Sequence, residues 1–317
     1  MRVLLVGGGA TAMALAYALR ESGVEVGFLL RASHADRPLA ARVQIGRGTR
    51  RVIERNVVLS PRFLGDLEQA SAWAPDVVVF TLSAPQMEAF SPHDVLRLVG
   101  DGVGVVVAPG PGPQAALSAL PEERRGFLLV AFMAAGVPWG EKEPQAWLVW
   151  DPPLATSFMG GADPRLGEVV DALRRGGLAV KWKRNGAISQ LPSGLLQPLV
   201  LALEASGWSF RALRRDRALL QLLRSAQGEA LSAIARLEGR SGAGAWHLLP
   251  GTTMMRLLLW ADTMAPFSVE RFLQAHFTKV GDQTAGWVTV LKGVMPVPSL
   301  EELARRAGRH PEEVAET

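Results

Sequence analysis

The sequence contains no cysteine among its 317 residues. That excludes disulfides, thiolate metal sites and a cysteine nucleophile, and it leaves the cellular compartment open. It also lacks any run of about 20 uncharged apolar residues, so no membrane-spanning helix is expected. The opening Met1-Arg2-Val3-Leu4-Leu5-Val6 has the cation-then-apolar order of a secretion signal, but Gly7-Gly8-Gly9 interrupts it where a signal core would continue. A dense basic block is missing as well. The formal net charge is only +4, and the arginines are scattered without interleaved aromatics, so a nucleic-acid partner is not expected. His93, His247 and His310 stand alone, and no pair of them has metal-ligand spacing; no metal is expected. Repeats and low-complexity segments are absent. With 48% hydrophobic and 20% charged residues, the chain can bury a full core. A soluble cytoplasmic protein of about two domains, at ~150 residues each, is the expectation.

The first half alternates strand and helix signals. Arg2 to Val6 reads as a buried parallel strand, Gly7-Gly8-Gly9 as a turn, Ala10 to Glu21 as a helix ended by Ser22-Gly23, and Val24 to Leu30 as the next strand. Asp76 to Thr81, Gly104 to Ala108, Phe127 to Phe132, Trp147 to Trp150, the segment around Phe158 and Val180 to Trp182 read as further strands. After Gly186 the pattern turns helical, over Ile188 to Leu237, again over about Ser268 to Lys292, and finally over Ser299 to Ala307. In the last of these, Ser299 and Glu302 have the spacing of a capping box. The expected architecture is an α/β Rossmann-type N-terminal domain (1–183) followed by an all-α C-terminal domain (184–317) for substrate and dimerisation.

Gly7-x-Gly9-x-x-Ala12 lies between the first strand and the first helix. A glycine at the first position permits the tight turn, one at the second lets backbone approach a pyrophosphate, and a small third residue lets the helix pack on the sheet. Ala10, Thr11 and Ala12 then offer first-turn amides to the negative charge. The end of the second strand selects the cofactor. An acidic residue there would hold the ribose hydroxyls of NAD; this chain has Arg31, with Ser33 and His34 beyond it. A guanidinium fork suits a phosphate, so NADP is favoured.

The order of features resembles the ketopantoate reductase family of NADPH-dependent enzymes. The resemblance rests on Gly7-Gly8-Gly9-Ala10, Arg31, the Asp76 to Gln86 segment DVVVFTLSAPQ, Ala108-Pro109-Gly110-Pro111-Gly112, Gln197-Pro198-Leu199, and Gly293-Val294-Met295-Pro296-Val297-Pro298. It implies that Arg31 holds the 2′-phosphate and that Ser83 and Gly110 stand beside the cofactor. It also exposes departures. Ser83 replaces the family's first landmark Lys, and Pro109 replaces the Asn of the glycine turn. Counting back from Pro198, the catalytic Lys falls on Ser189 and the helix Asn positions fall on Ser193 and Gln197. A hydroxyl is a weaker proton donor to a forming alkoxide than an ammonium.

Carbonyl reduction needs a hydride, a proton donor for the oxygen and a group that holds the substrate. Ser189, Ser193 and Gln197, spaced i, i+4, i+8, would share one helix face, unless Pro192 and Pro198 break the helix and leave the serines as caps. His276, Lys279 and Gln283 follow i, i+3, i+7 in the second helical stretch, with Asp282 beside them. Lys279 could supply the missing ammonium, its pKa lowered by burial; a solvated Lys–Asp pair is the alternative. Aligning on Gly286 puts Glu270 over the family's Glu. Aligning on the Gly293 turn puts Phe277 there and Asp282 over the neighbouring Asn, and keeps the Pro-containing turn. Trp208 and Trp246 could wall a pocket or pack in the core, and Thr252-Thr253 reads as a helix cap.

The expected activity is NADPH-dependent reduction of a small, anionic 2-keto acid or related carbonyl, with a homodimer admitted as the assembly. Two alternatives stay open. One is an NADP-binding sensor or scaffold that has lost catalysis; the other is an oxidoreductase for a bulkier apolar substrate.

Overall fold

The Val/Leu run after Met1 forms strand β1 (Arg2–Val6), four of whose five residues are buried. Continuous burial of this kind is what a strand covered on both faces requires. This computed structural model describes residues 1–30, 40–47, 52–58, 62–83, 86–87, 90–107, 117–137, 146–151, 156–184, 189–249, 251–265, 268–279 and 281–309. The chain divides into two compact units, Met1–Ile188 and Ser189–Thr317.

In the first unit, β1 leads through helix α1 (Ala10–Glu21) to β2 (Glu25–Leu29). There follow β3 (Ala40–Arg47), β4 (Val52–Val58), β5 (Arg62–Leu64), α2 (Leu67–Ala72), β6 (Val77–Phe80), α3 (Pro92–Val99), β7 (Val103–Val107) and β8 (Arg125–Leu129). The unit ends with β9 (Met133–Val137), β10 (Ala146–Asp151), β11 (Ser157–Gly160), α4 (Pro164–Arg175) and β12 (Val180–Lys183). The main sheet has the order β12-β11-β8-β7-β6-β1-β2-β5. Every neighbour from β5 to β8 is parallel; β11 runs antiparallel to β8 and parallel to β12. The chain builds outward from β1 to β2 and β5, then restarts on the other side at β6. The reversal leaves a crevice at the carboxyl ends of β1 and β6, where open α/β sheets bind ligands. Val6 pairs with both Leu29 and Phe80, so the glycine turn after β1 emerges level with Thr81 after β6.

A second, four-stranded sheet, β4-β3-β10-β9, was not expected beyond its β10 strand. Its β3 and β4 strands carry Arg, Gln, Glu and Asn among the apolar residues, so their sequences lack the continuous apolar runs that mark the main sheet. The expected strand over Phe127 to Phe132 is β8, which ends at Leu129, and the buried Phe132 lies in the break before β9. Residues Ala12 to Leu19 of α1 share one core with Val3, Leu5 and Val77 of the main sheet and Ala134 and Val149 of the second. Ala18 also touches α4 closely, since a Cβ on Gly176 would meet the Ala18 backbone, and Ser22 Oγ donates to the Ala172 carbonyl at 2.5 Å.

The second unit is helical: α5 (Leu191–Ala205), α6 (Phe210–Arg215), α7 (Arg217–Leu237), α8 (Thr252–Met264), α9 (Val269–Lys279), α10 (Gly281–Lys292) and α11 (Pro298–Arg306). The stretch from Ile188 to Leu237 is thus three helices, the second and third capped by Ser209 and Asp216. The stretch from Ser268 to Lys292 is helical on both sides of residue 280, which lies outside the described residues. The last helix is also capped differently from expectation: Val297 is its N-cap, and Pro298 sits in its first turn. Its free amides of Ser299 and Leu300 donate to the Glu229 carboxylate of α7, at 3.1 and 3.0 Å. Glu302 is taken by Arg305 and Arg306 instead. Among the described residues no helix is long and apolar enough to cross a membrane.

Candidate functional site

Gly7 begins the turn at φ +104°, a left-handed conformation that only glycine adopts cheaply. A Cβ there would stand 2.8 Å from Thr81 Oγ1 and 3.0 Å from Leu82. Thr81 is held by its own bonds, since its N–H and its hydroxyl both donate to the Val6 carbonyl, at 3.0 and 2.9 Å. The turn is therefore locked to the end of β6, a partner that the glycine pattern does not reveal. Gly9 is the N-cap of α1, makes no side-chain cap bond and is followed by no acidic residue in the first turn. No described residue lies within 4 Å of where its Cβ would be. Orphan first-turn amides with open space before them suit a pyrophosphate, so Gly7, Gly9, Ala10, Thr11 and Ala12 fit a dinucleotide. Ser83 follows in a local turn, where its hydroxyl accepts from the Gln86 N–H and its own N–H donates to Gln86 Oε1. Arg31, Ser33, His34, Pro109 and Gly110 lie outside the described residues.

In the second unit, α5 runs through Pro198, with Pro192 in its first turn. This resolves the open choice in favour of a continuous helix that carries both Ser193 and Gln197. Pro198 removes one backbone donor from the ladder, and in that stretch the Leu195 carbonyl accepts from Gln227 Nε2 at 2.8 Å. Gln227 is fully buried, and its Oε1 accepts from the Gly251 N–H at 2.6 Å. One carboxamide thus ties α5, α7 and the start of α8 together. The side chain of Thr252, the first residue of the expected Thr252-Thr253 cap, lies outside the description. Gln197 Oε1 accepts from the Thr284 hydroxyl of α10 at 3.1 Å, and both residues are buried. Ser193 donates to the Gln190 carbonyl at 2.6 Å. Ser189 precedes the helix and donates to Glu238 Oε2 at 3.0 Å, while Glu238 Oε1 accepts from the Gln190 N–H. Gln227, Thr284 and Glu238 escaped the sequence reading because each acts across tens of residues.

Lys279 ends α9 and Asp282 is the second residue of α10. Of the face expected for His276, Lys279 and Gln283, the His276 side chain is described; those of Lys279, Asp282 and Gln283 lie outside the description. The His276 ring lies parallel to Phe272 and edge-on to Phe277. Trp208 adopts a positive φ of 58°, and its N–H closes the end of α5 on the Leu203 carbonyl. Displaced pKa values fall elsewhere. Asp94 is held below its ordinary range by the Ser91 hydroxyl, Asp163 by Arg165, and Glu302 by Arg306 and Arg305. All three belong to helix ends or surface pairs.

No known family model and no curated protein matches the sequence. Solved structures match over almost the whole chain. A 2-dehydropantoate 2-reductase from Geobacter metallireducens GS-15 aligns with TM-score 0.66 and 14% identity, over 97% of this chain and 99% of that one. A PanE/ApbA family ketopantoate reductase from Ralstonia eutropha JMP134 gives 0.68 and 17%, over 99% and 100%. D-mandelate dehydrogenase in a ternary structure with NADH and anilino(oxo)acetate gives 0.68 and 12%, over 99% of each chain. The resemblance read from the sequence therefore holds at the level of the fold: this chain has the architecture of ketopantoate reductases from end to end.

Proposed function

We propose that this protein is an NADPH-dependent oxidoreductase that reduces a small 2-keto acid or a related carbonyl compound. The observation that carries the reading is the uncapped start of α1 behind a left-handed Gly7, at the reversal point of the parallel sheet. Gly7, Gly9, Ala10, Thr11 and Ala12 hold the pyrophosphate, with Ser83 and Gly110 beside the cofactor. Arg31 pairs with the 2′-phosphate and sets the preference for NADP. The bound dinucleotide supplies the hydride. Ser193 and Gln197 orient the substrate, Lys279 gives a proton to the oxygen, and Asp282 holds Lys279 in its charged form. Residues 184–317 carry the substrate and dimer contacts, and the working compartment is the cytoplasm.

Titration calorimetry with NADPH and NADH tests the cofactor assignment. Arg31→Ala should weaken NADPH about 10- to 100-fold and leave NADH nearly unchanged, as expected for losing a charge-assisted bond. Equal losses for both would remove the phosphate role, and no binding of either nucleotide would remove the function. One observation favours a second reading, an NADP-binding sensor: the Ser189 hydroxyl, at the position the resemblance maps to the catalytic Lys, is already committed to Glu238. Nucleotide binding without NADPH oxidation by any 2-keto acid or imine would select it.

A further inference from the structure

Gly7, Gly8 and Gly9 form the one run of three glycines in the sequence, and no residue type has more backbone freedom to lose than glycine. A nucleotide that met a loose turn would have to order it, and fixing the backbone of one residue costs about a factor of ten in an equilibrium constant. Affinity at a glycine turn therefore depends on what orders it beforehand. The Val6–Gly7 peptide is pinned from both sides. Its N–H donates to the Leu29 carbonyl of β2 at 3.1 Å, and its carbonyl oxygen accepts the N–H and the hydroxyl of Thr81. The two amide bonds continue strand ladders that almost any residue would make. The hydroxyl bond is particular to this side chain, and it turns Oγ1 over Gly7, where a Cβ would stand 2.8 Å away. Only a hydrogen fits between them. The Leu30 side chain reaches Gly8, and the described residues leave the Cβ position of Gly9 open. Thr81 is followed at once by a fixed segment. Ser83 and Gln86 exchange side-chain-to-backbone bonds at 3.1 and 3.3 Å, the reciprocal pattern of a capping box.

We propose that Thr81 is a positioning residue for the dinucleotide. Its hydroxyl orders the glycine turn before the cofactor arrives, so the free amides at the start of α1 meet the pyrophosphate without a further loss of chain entropy. The proposal rests on the dinucleotide reading above and adds the side chain that sets how tightly either nucleotide is held. Thr81 bears on the turn, which serves the part common to NADPH and NADH. It therefore acts on both alike, in contrast to Arg31.

Thr81→Ala and Thr81→Ser test this in the full chain, because they differ by one oxygen. In calorimetry Thr81→Ala should weaken NADPH and NADH by the same factor, about tenfold, the cost of ordering one residue. Thr81→Ser keeps the hydroxyl bond and should stay within about twofold of the unaltered protein. In turnover the Ala variant should raise KM for NADPH and leave kcat nearly unchanged, the mark of lost uniform binding. Amide hydrogen exchange of the nucleotide-free chain reads the turn itself. Residues 8–12 should exchange about tenfold faster in Thr81→Ala than in Thr81→Ser, with β1 and β2 alike in both. Equal affinities in the two variants, a loss confined to NADPH, or faster exchange spread over β1 and β2 as well would overturn the proposal. If the unaltered protein bound neither nucleotide, the dinucleotide reading would fall on its own account. The exchange comparison would still decide whether the hydroxyl orders the turn.

Discussion

Six buried polar side chains are described, and five of them, Gln190, Ser193, Gln197, Gln227 and Thr284, belong to the helical unit; Ser157 is the single case in the sheet unit. The sheet unit satisfies its backbone through strand ladders and shapes its candidate site from main-chain atoms around Gly7 and Gly9. The helical unit interrupts its helices often, so carboxamides, hydroxyls and carboxylates from neighbouring helices serve the exposed ends. A backbone site is intolerant at glycines and indifferent to most side chains nearby. A side-chain network is intolerant at its polar hubs. The difference predicts where each unit is fragile and what breaks when it fails.

The largest effect should come from the backbone site. Gly7→Val places a β-branched residue at φ +104° and a Cβ against Thr81. Strain and overpacking together should cost about 4 kcal/mol in urea unfolding and abolish nucleotide binding by calorimetry. A variant that kept both would show that the turn is not locked. Next comes the hub of the helical unit. Gln227→Leu leaves the Leu195 carbonyl and the Gly251 N–H unpaired in the interior, a loss of about 3 kcal/mol. Nucleotide affinity should stay within about twofold, because both hydrogen bonds of Gln227 lie within the helical unit and sites with no shared partners add independently. A parallel loss of NADPH binding would break the separation drawn between the units. The smallest change is Glu229→Ala, which uncaps α11 and should cost about 1 kcal/mol in the same unfolding assay, the usual worth of a helix cap. An unchanged midpoint would mean that water serves Ser299 and Leu300 equally well.

Much of the first unit was legible because its signals are local. The apolar run of β1, the glycines and the Ala-rich α1 are contiguous, and each is read from a window shorter than about 20 residues. The second sheet was not legible, since strands β3 and β4 mix polar and apolar residues and gain their meaning only by pairing with β10. Ser193 and Gln197 were legible as a helix face from their spacing, but Pro198 obscured whether the helix existed. The helical stretch around Lys279 and Asp282 was legible from its composition, since α9 and α10 fill it on either side of residue 280.

The order of amino acids by itself determined the strand–turn–helix opening, the glycine whose backbone must go left-handed, and the change from alternating to helical character after Gly186. Only the tertiary structure decided that Thr81 closes over Gly7, that Glu238 meets Ser189 across 49 residues, and that Gln227 serves carbonyl and amide 32 and 24 residues away. The physical reason is range. Local steric and hydrophobic periodicity repeats along the chain and can be read there, whereas a hydrogen bond between distant segments leaves no period and depends on how the helices and strands finally pack.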